Sequence, residues 1–202
     1  NEIGSIFPIR EIGKIAKEHG ILFFTDATQA VGKIPINVYE DCIDLMSFSG
    51  HKLYGPKGAG ALYVRRKNPR VKLNPIIFGG GHESGMRSGT LNVTGIVGLG
   101  KACEICNQEM KVERQKIMAL RDKLLDGLLM INGTSLNGNR ALLLPNTINV
   151  SFNFIASNIL VTKLNRHIAI ATGSACTSAS IEPSYVLRAL GIGDQLAASS
   201  IR

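Results

Sequence analysis

Apolar and polar positions in the first part of the chain follow a helical period and then short continuous apolar runs. Ile9, Ile12, Ile15 and Ala16 form one apolar stripe within FPIREIGKIAKEHG, in which a proline near the start and a glycine past the end predict a helix. The runs that follow predict buried strands: ILFFT (21–25), DLMSFS (44–49) and GALYVRR (60–66). A helix followed by such strands indicates α/β architecture with a largely parallel sheet.

From Asn92 onward the pattern predicts helices first and then strands alternating with helices. TGIVGLGKACEICNQEM is rich in small residues, and VERQKIMALRDKLLDGLLMI is amphipathic. The predicted core face of the amphipathic segment consists of Ile117, Leu120, Leu124, Leu128 and Ile131. NTINVSF and HIAIAT predict strands, SNILVTKLNR predicts a helix, and Pro183 and Gly191 bracket another. We therefore predict two domains: residues 1-108 belong to a larger domain, and 109-202 form a small α+β domain.

Composition and charge narrow the classes of protein without changing this architecture. The 202 residues are 45% apolar and 19% charged, a balance typical of a globular protein. No apolar run approaches the ~20 residues of a membrane-spanning helix. The net charge of +8 comes from scattered basic residues and few aromatics accompany them, which favours an anionic ligand or an acidic partner over nucleic acid. The one dense basic cluster, YVRRKNPRVK (63–72), is predicted to be an exposed hairpin or loop.

The cysteines favour a reducing compartment. No secretory signal is visible in the sequence, so we expect none of the four cysteines to form a disulfide. Cys103 and Cys106 form a C-x-x-C inside a helical pattern with no second pair. We therefore interpret them as two small apolar residues on one helix face, not as a zinc or redox site.

Polar side chains follow two of the predicted strands at the point where each strand ends. Asp26 follows ILFFT, with Gln29 three residues on, and Ser49, His51 and Lys52 follow DLMSF. Ligands of parallel α/β sheets bind at the carboxyl ends of strands. Singly, such an aspartate is commonly a cap or turn residue, and such a lysine is commonly solvated. Together they are what a pyridoxal phosphate site requires: a lysine to form a Schiff base, and an acid to keep the pyridine nitrogen protonated.

Two further segments are candidates for chemistry. FGGGHESGMRSGT (78–90) has glycines that allow close backbone approach, and Arg87 and Thr90 suit an anion, although a flexible surface loop fits the pattern as well. ATGSACTSAS (171–180) surrounds Cys176 with small residues. Such neighbours favour the exposed thiol that a nucleophile needs over a buried structural cysteine.

Four motifs in this order resemble those of the IscS-type cysteine desulfurases, the class V group of fold-type I pyridoxal phosphate enzymes. They are DATQAVGK, SFSGHKLYGPKG, GGGHESGMRSGT and GSACTSASIEPSYVLRALG, and the resemblance extends over essentially the whole chain. It implies an α/β fold in which part of a mostly parallel seven-stranded sheet domain precedes a small α+β C-terminal domain. It also implies an internal fragment lacking both ends, which we expect neither to fold stably nor to turn over cysteine by itself.

The resemblance implies a role for each matching residue around the cofactor, pyridoxal 5'-phosphate. Lys52 is the covalent anchor, Asp26 the partner of the ring nitrogen, and Gln29 the hydrogen-bond donor to the phenolic oxygen. Ser49 and His51 are phosphate ligands. The remaining cofactor residues are Asn1, close to the ring, and Thr90, which reaches the phosphate of the neighbouring subunit and so implies a homodimer.

The resemblance also implies how substrate and sulfur are handled. L-cysteine is bound by Asn1 and Arg202, and the planar guanidinium of Arg202 suits the substrate carboxylate. Cys176 takes the sulfur as a persulfide, L-alanine is released, and His82 is a candidate base for the thiol. On a scaffold, Cys176 is also a possible transient ligand of a [2Fe–2S] cluster.

The implied partners are an iron–sulfur scaffold protein and the sulfur carriers of tRNA thiolation, with no direct nucleic-acid or membrane binding. The implied location is the cytoplasm, or the mitochondrial matrix in a eukaryote. Two alternatives remain open: a related pyridoxal phosphate enzyme acting on selenocysteine or cysteine sulfinate, and an inactive fragment that only binds a scaffold.

Overall fold

The structure is a computed structural model that describes residues 1–172 and 183–202. Its contacts divide the chain into two compact units. The first unit is Pro8–Lys111, and the second unit combines Asn1–Phe7 with Val112–Arg202. The contact boundary therefore follows Lys111 rather than residue 108. No described helix is both long enough and apolar enough to cross a membrane.

Residues 1–7 belong to the second unit by their contacts, whereas the sequence places them in the predicted 1-108 domain. Ile3 is buried in one cluster with Leu187 and Ala197. The Gly4 carbonyl accepts a hydrogen bond from the Leu144 amide at 2.7 Å. Periodicity indicates which segments form helices and strands but not which distant segments they pack against, so the prediction had no means of making this assignment.

The first unit contains a three-stranded mixed sheet. Its elements are helix α1 (Ile9–Glu18), strands β1 (Phe24–Asp26), β2 (Leu45–Ser49) and β3 (Gly60–Val64), and helix α2 (Val93–Leu129) as far as Lys111. β2 lies in the middle, parallel to β1 and antiparallel to β3. The pattern predicted a largely parallel sheet, but the link between β2 and β3 is shorter than the dozen or more residues that a parallel crossover needs.

Helix α1 ends as predicted, but only part of its apolar stripe is buried: Ile9 packs against the core cluster of Ala27, Ile43 and Met46. Gly20 adopts φ +65°, and the Ile21 amide donates to the Ala16 carbonyl at 2.8 Å, which closes the helix. Ile12 and Ile15 are exposed, whereas Gly13 is the buried residue of the helix. The helix therefore packs through its backbone at Gly13.

We expect Gly13→Ala to destabilise the protein although alanine is the better helix former. An added β-carbon would lie 2.2 Å from the Asp41 carbonyl oxygen. The overlap costs about 1–3 kcal/mol of unfolding free energy, which outweighs a propensity gain of about 1 kcal/mol. The control is Gly100→Ala in α2, where nothing lies within 4 Å of the added carbon and stability should rise. Urea unfolding of the full-length protein checks both; an equal gain at the two sites contradicts the packing.

The second unit contains a three-stranded antiparallel sheet in the order β4–β5–β6. Its elements are the remainder of α2, β4 (Thr134–Leu136), β5 (Val150–Phe152), α3 (Ser157–Leu164), α4 (Tyr185–Ala189), α5 (Asp194–Ala197) and β6 (Ser200–Ile201). The predicted strand HIAIAT is absent from the described elements. Ala171 exchanges two backbone hydrogen bonds with Arg202 at 2.8 and 3.1 Å, whereas the amides of His167 and Ile168 donate back to the Leu164 carbonyl at the end of α3.

The buried face of α2 in the second unit differs from the predicted one. Leu125 is fully buried and clusters with Val150 and Ile201, whereas Leu120 and Leu124 are more than half exposed. Leucines at adjacent positions fit two helical stripes equally well. Contact with β5 and β6 selects the stripe that contains Leu125 and Leu128, so the predicted face was right at Leu128 and wrong at Leu120 and Leu124.

Candidate functional site

The parallel pair β1–β2 brings two of the predicted polar positions to one edge of the sheet. Asp26, the last residue of β1, is the register partner of Ser47. β2 continues two residues further and ends at Ser49. Because the strands are parallel, their carboxyl ends meet at the same edge of the sheet, and the Asp26 carboxylate and the Ser49 hydroxyl belong to the residues at those ends.

Asp26 is exposed and partly committed to the turn that follows β1. Its Oδ1 accepts a hydrogen bond from the Thr28 amide at 2.8 Å, the local turn that aspartate favours. No other described residue hydrogen-bonds Oδ2. Gln29 lies partly buried in the same turn. One carboxylate oxygen therefore holds the turn, and the other is available to a protonated ring nitrogen.

Ser49 and His51 are joined to each other by a short hydrogen bond. The Ser49 Oγ lies 2.7 Å from the His51 Nδ1. Ser49 is partly buried at the end of β2, and His51 is exposed in the 3₁₀ turn Gly50–Lys52. A hydroxyl and an imidazole held side by side are suited to donate to a phosphate.

Lys52 is exposed between two buried anchors. Gly50 is buried, its amide donates to Ala59 at 2.8 Å, and its carbonyl accepts from Leu53 and Gly55. Leu53 is 2% exposed in a core cluster. The Lys52 carbonyl also accepts a hydrogen bond from the Lys33 ammonium. The main chain at Lys52 is thus fixed on both sides while its amine faces outward.

Small residues of α2 let this loop pack closely against the helix. A β-carbon on Gly98 would lie 3.0 Å from Pro56, and one on Gly55 would lie 3.2 Å from Ala102. Cys103 and Cys106 pack against the core cluster of Leu53, Leu99 and Ala102, as the sequence predicted. Within residues 1–172 and 183–202, no group of three or more His, Cys, Asp and Glu is placed to hold a metal ion.

The glycine-rich segment forms a loop closed by its own side chains. The buried Ser88 accepts from the Gly81 amide at 3.2 Å, and the His82 Nδ1 accepts from the Gly89 amide at 3.3 Å. The bond occupies the His82 Nδ1, so this nitrogen can accept a proton only when the bond opens. Thr90 is exposed just beyond the loop. The roles of His82 and Thr90 stay predictions.

Asn1 and Arg202, the two predicted substrate residues, are neighbours in the second unit. The Arg202 Nη1 lies 3.5 Å from the Asn1 carbonyl oxygen. Arg202 directly follows β6, and its backbone is paired with Ala171. Cys176 lies outside the described residues.

A buried polar cluster adjoins these two residues, and the sequence analysis missed it. The polar cluster consists of Asn137, Asn149, Ser151 and Ser200, each at most 3% exposed. The Asn137 Nδ2 lies 2.7 Å from Asn149, 2.8 Å from Ser151 and 3.2 Å from Ser200. The signal was available: Asn149 and Ser151 alternate with apolar residues in NTINVSF, where a two-residue period puts both on one face.

A cavity of about 300 Å³ opens at the other edge of the first unit's sheet. Its lining includes Leu22, Asp44 and Arg65, which adjoin the edge where β1 and β2 begin. None of the predicted site residues lines it. The chemistry-bearing residues therefore occupy an open strand edge rather than this cavity.

The donor set at the carboxyl edge fits pyridoxal phosphate. It combines an outward amine at Lys52, a carboxylate oxygen of Asp26 and the Ser49–His51 pair. The Lys52 amine suits the aldehyde, the Asp26 oxygen suits the pyridine nitrogen, and the Ser49–His51 pair suits the phosphate.

Comparisons with known proteins identify relatives along the whole chain. The cysteine desulfurase IscS of Mannheimia succiniciproducens is 59% identical over 202 residues, and that of Actinobacillus succinogenes is 58% identical. Each match covers the whole chain but only 50% of the relative's length.

Solved structures confirm the predicted fold. A NifS-like protein from Rickettsia africae superposes with a TM-score of 0.88 at 32% identity, covering 99% of this chain and 52% of that one. DndA from Streptomyces lividans gives a TM-score of 0.79 at 32% identity over 100% of this chain and 57% of that one. The sequence profile described as "Aminotransferase class-V" matches residues 1–201. This chain therefore belongs to the class V aminotransferase family.

Proposed function

We propose that the protein is a pyridoxal phosphate-dependent cysteine desulfurase, in which this chain supplies the lysine, the sulfur-accepting thiol and the substrate arginine. The observation that carries the proposal is the convergence of Asp26, the Ser49–His51 pair and Lys52 at one edge of a sheet. The name cysteine desulfurase, borne by relatives more than half identical to this chain, supports the reaction.

The residues at this edge divide the work of holding and using the cofactor. Bound pyridoxal phosphate supplies an electron sink for the bond broken at the substrate Cα. Asp26 offers Oδ2 to the ring nitrogen, and Ser49 and His51 offer donors to the phosphate. The Lys52 amine, on a main chain held by Gly50 and Leu53, takes the Cα proton from the substrate and returns a proton later.

Arg202 binds the substrate carboxylate. A guanidinium presents two parallel donors to a carboxylate, which fixes direction as well as distance. The Asn1 carbonyl lies 3.5 Å from one guanidinium nitrogen and restricts its orientation.

Sulfur then moves from L-cysteine to Cys176. The Cys176 thiolate attacks the sulfur of L-cysteine, an S–S bond forms, and the substrate C–S bond breaks. The substrate Cβ gains a proton and leaves as part of L-alanine, and Cys176 keeps the sulfur as a persulfide. No external oxidant or reductant is needed.

The persulfide is passed on to an acceptor. We propose an iron–sulfur scaffold protein and sulfur carriers of tRNA thiolation as acceptors, with Cys176 as a transient [2Fe–2S] ligand on the scaffold. We also propose a homodimer, in which Thr90 contacts the neighbouring site, and a cytoplasmic location, or the mitochondrial matrix in a eukaryote. The net charge of +8 supports an acidic acceptor surface.

The full-length protein should convert L-cysteine to L-alanine, with sulfide released when a thiol reductant is present. Cys176→Ser should abolish sulfide release because the persulfide can no longer form. Cys42 is partly buried, and Cys42→Ser should leave the rate unchanged. Alanine formed from selenocysteine or cysteine sulfinate but not from L-cysteine would contradict the proposal in favour of a related enzyme.

A further inference from the structure

We propose that the polar cluster of Asn137, Asn149, Ser151 and Ser200 positions the two residues that bind the substrate carboxylate, Asn1 and Arg202. This inference rests on the proposed function, because it concerns the same substrate. It assigns positioning residues in the interior of the second unit, whereas the sequence analysis assigned substrate binding only to Asn1 and Arg202.

One arm of the polar cluster reaches Arg202. The hydroxyls of Ser151 and Ser200 lie 2.7 Å apart, and the Ser200 Oγ donates to the Leu196 carbonyl at 2.9 Å. Ser200 begins β6, so one residue, Ile201, separates it from Arg202. A shift of Ser200 along its strand therefore also shifts the backbone of Arg202, from which the guanidinium extends.

The other arm reaches Asn1. The Asn149 Nδ2 donates to the Glu2 carbonyl at 3.3 Å, and the Asn149 Oδ1 accepts from Asn137 at 2.7 Å. Glu2 is itself 3% exposed. The first residues of the chain are thus tied to Asn149, and through it to Asn137, the asparagine that contacts both serines.

A cluster of this kind is needed because the backbone alone specifies β6 poorly. Only two register pairs join β5 and β6, Val150 with Ile201 and Ser151 with Ser200. A slip of one residue would reverse which side chains face the interior. Buried hydroxyls and amides lose their partners in a slipped register, and unpaired buried polar groups are costly. The polar cluster therefore fixes the register that presents Arg202.

Apolar residues would fill the same space at lower desolvation cost, which argues against a role in packing alone. Thr134 in β4 provides the internal comparison. Its Oγ1 is buried without a hydrogen-bond partner, and no described hydrogen bond links it to Asn1 or Arg202. The polar cluster differs because each of its members has a partner and the contacts lead to Asn1 and Arg202.

The test uses the full-length protein loaded with cofactor, with Ser200→Ala and Ser151→Ala as two independent deletions. Each should raise KM for L-cysteine roughly tenfold and leave kcat nearly unchanged, as expected when an interaction shared by the ground state and transition state is weakened. Thr134→Val is the matched control: it also removes a buried hydroxyl from this sheet, and KM should not change. Melting temperatures report any general loss of fold.

A double-mutant cycle separates positioning from general stability. In an Arg202→Lys background, where the bidentate fork is already lost, Ser200→Ala should add little to KM. Calorimetry with L-alanine, which carries the carboxylate but undergoes no desulfuration, should show the same non-additive weakening of affinity.

The inference is overturned if Ser200→Ala and Ser151→Ala leave KM for L-cysteine unchanged. It is also overturned if Ser200→Ala raises KM by the same factor in the Arg202→Lys background as in the wild type, or if Thr134→Val raises KM equally. If the wild type forms no alanine from L-cysteine, the proposed function fails. L-alanine affinity then still decides the positioning role, which is overturned if the wild type does not bind it or if Ser200→Ala does not weaken binding. If only Arg202→Lys impairs an active enzyme, the proposed function stands and the positioning role fails.

Discussion

Lys52→Ala is expected to reduce L-alanine formation from L-cysteine by about 10³–10⁴-fold in the full-length protein. Lys52 presents the only amine on the 3₁₀ turn Gly50–Lys52, and that turn is fixed by buried neighbours on both sides. In the proposed mechanism this amine is both the covalent anchor of the cofactor and the group that transfers the Cα proton, so its removal abolishes both roles. The measurement is alanine production under saturating L-cysteine and added pyridoxal phosphate.

Lys57→Ala is the matched control for this loss. Lys57 is another exposed lysine in the same connection between β2 and β3, so its removal changes the charge of the loop equally without touching the site. We expect unchanged turnover. Borohydride reduction followed by mass spectrometry locates the covalent bond directly, and a pyridoxyl adduct on any lysine other than Lys52 would contradict the assignment.

The carboxyl-edge site was predictable from sequence because it depends on local order along the chain. A buried strand followed by Asp26, and a second strand followed by Ser49 and Lys52, need only be parallel neighbours for their ends to meet. The structure pairs β1 and β2 in that way. The direction of β3 has no influence on where those two ends lie, so its antiparallel pairing left the predicted site intact.

Features that depend on distant contacts were not predictable in the same way. The buried stripe of α2 is set by β5 and β6, not by its own leucines. The tie between Asn149 and Glu2 joins positions 147 residues apart. Periodicity measured within one segment carries no information about such partners. A two-residue spacing of polar side chains along one strand shows only that one face is polar.

Arg65 is the clearest case of a residue whose environment the sequence misrepresented. It lies in the basic cluster 63–72, predicted to be an exposed hairpin or loop, yet it is 7% exposed. Its Nε lies 2.9 Å from the Asp44 carboxylate, and its Nη2 donates to the carbonyls of Val38 and Ile43, both at 2.7 Å. One guanidinium thus holds together the segments that enter β2 and leave β3.

Arg65→Ala is therefore expected to lower the free energy of unfolding by about 3–5 kcal/mol, because it leaves the Asp44 carboxylate buried without its counter-charge. Arg66→Ala is the control: Arg66 is the next residue and is exposed, so its effect should stay within about 0.5 kcal/mol. Combining Arg65→Met with Asp44→Leu should cost less than Arg65→Ala, since no charge then remains buried. Urea unfolding of the full-length protein checks all three, and equal effects of Arg65→Ala and Arg66→Ala would show that the ion pair does not stabilise the sheet.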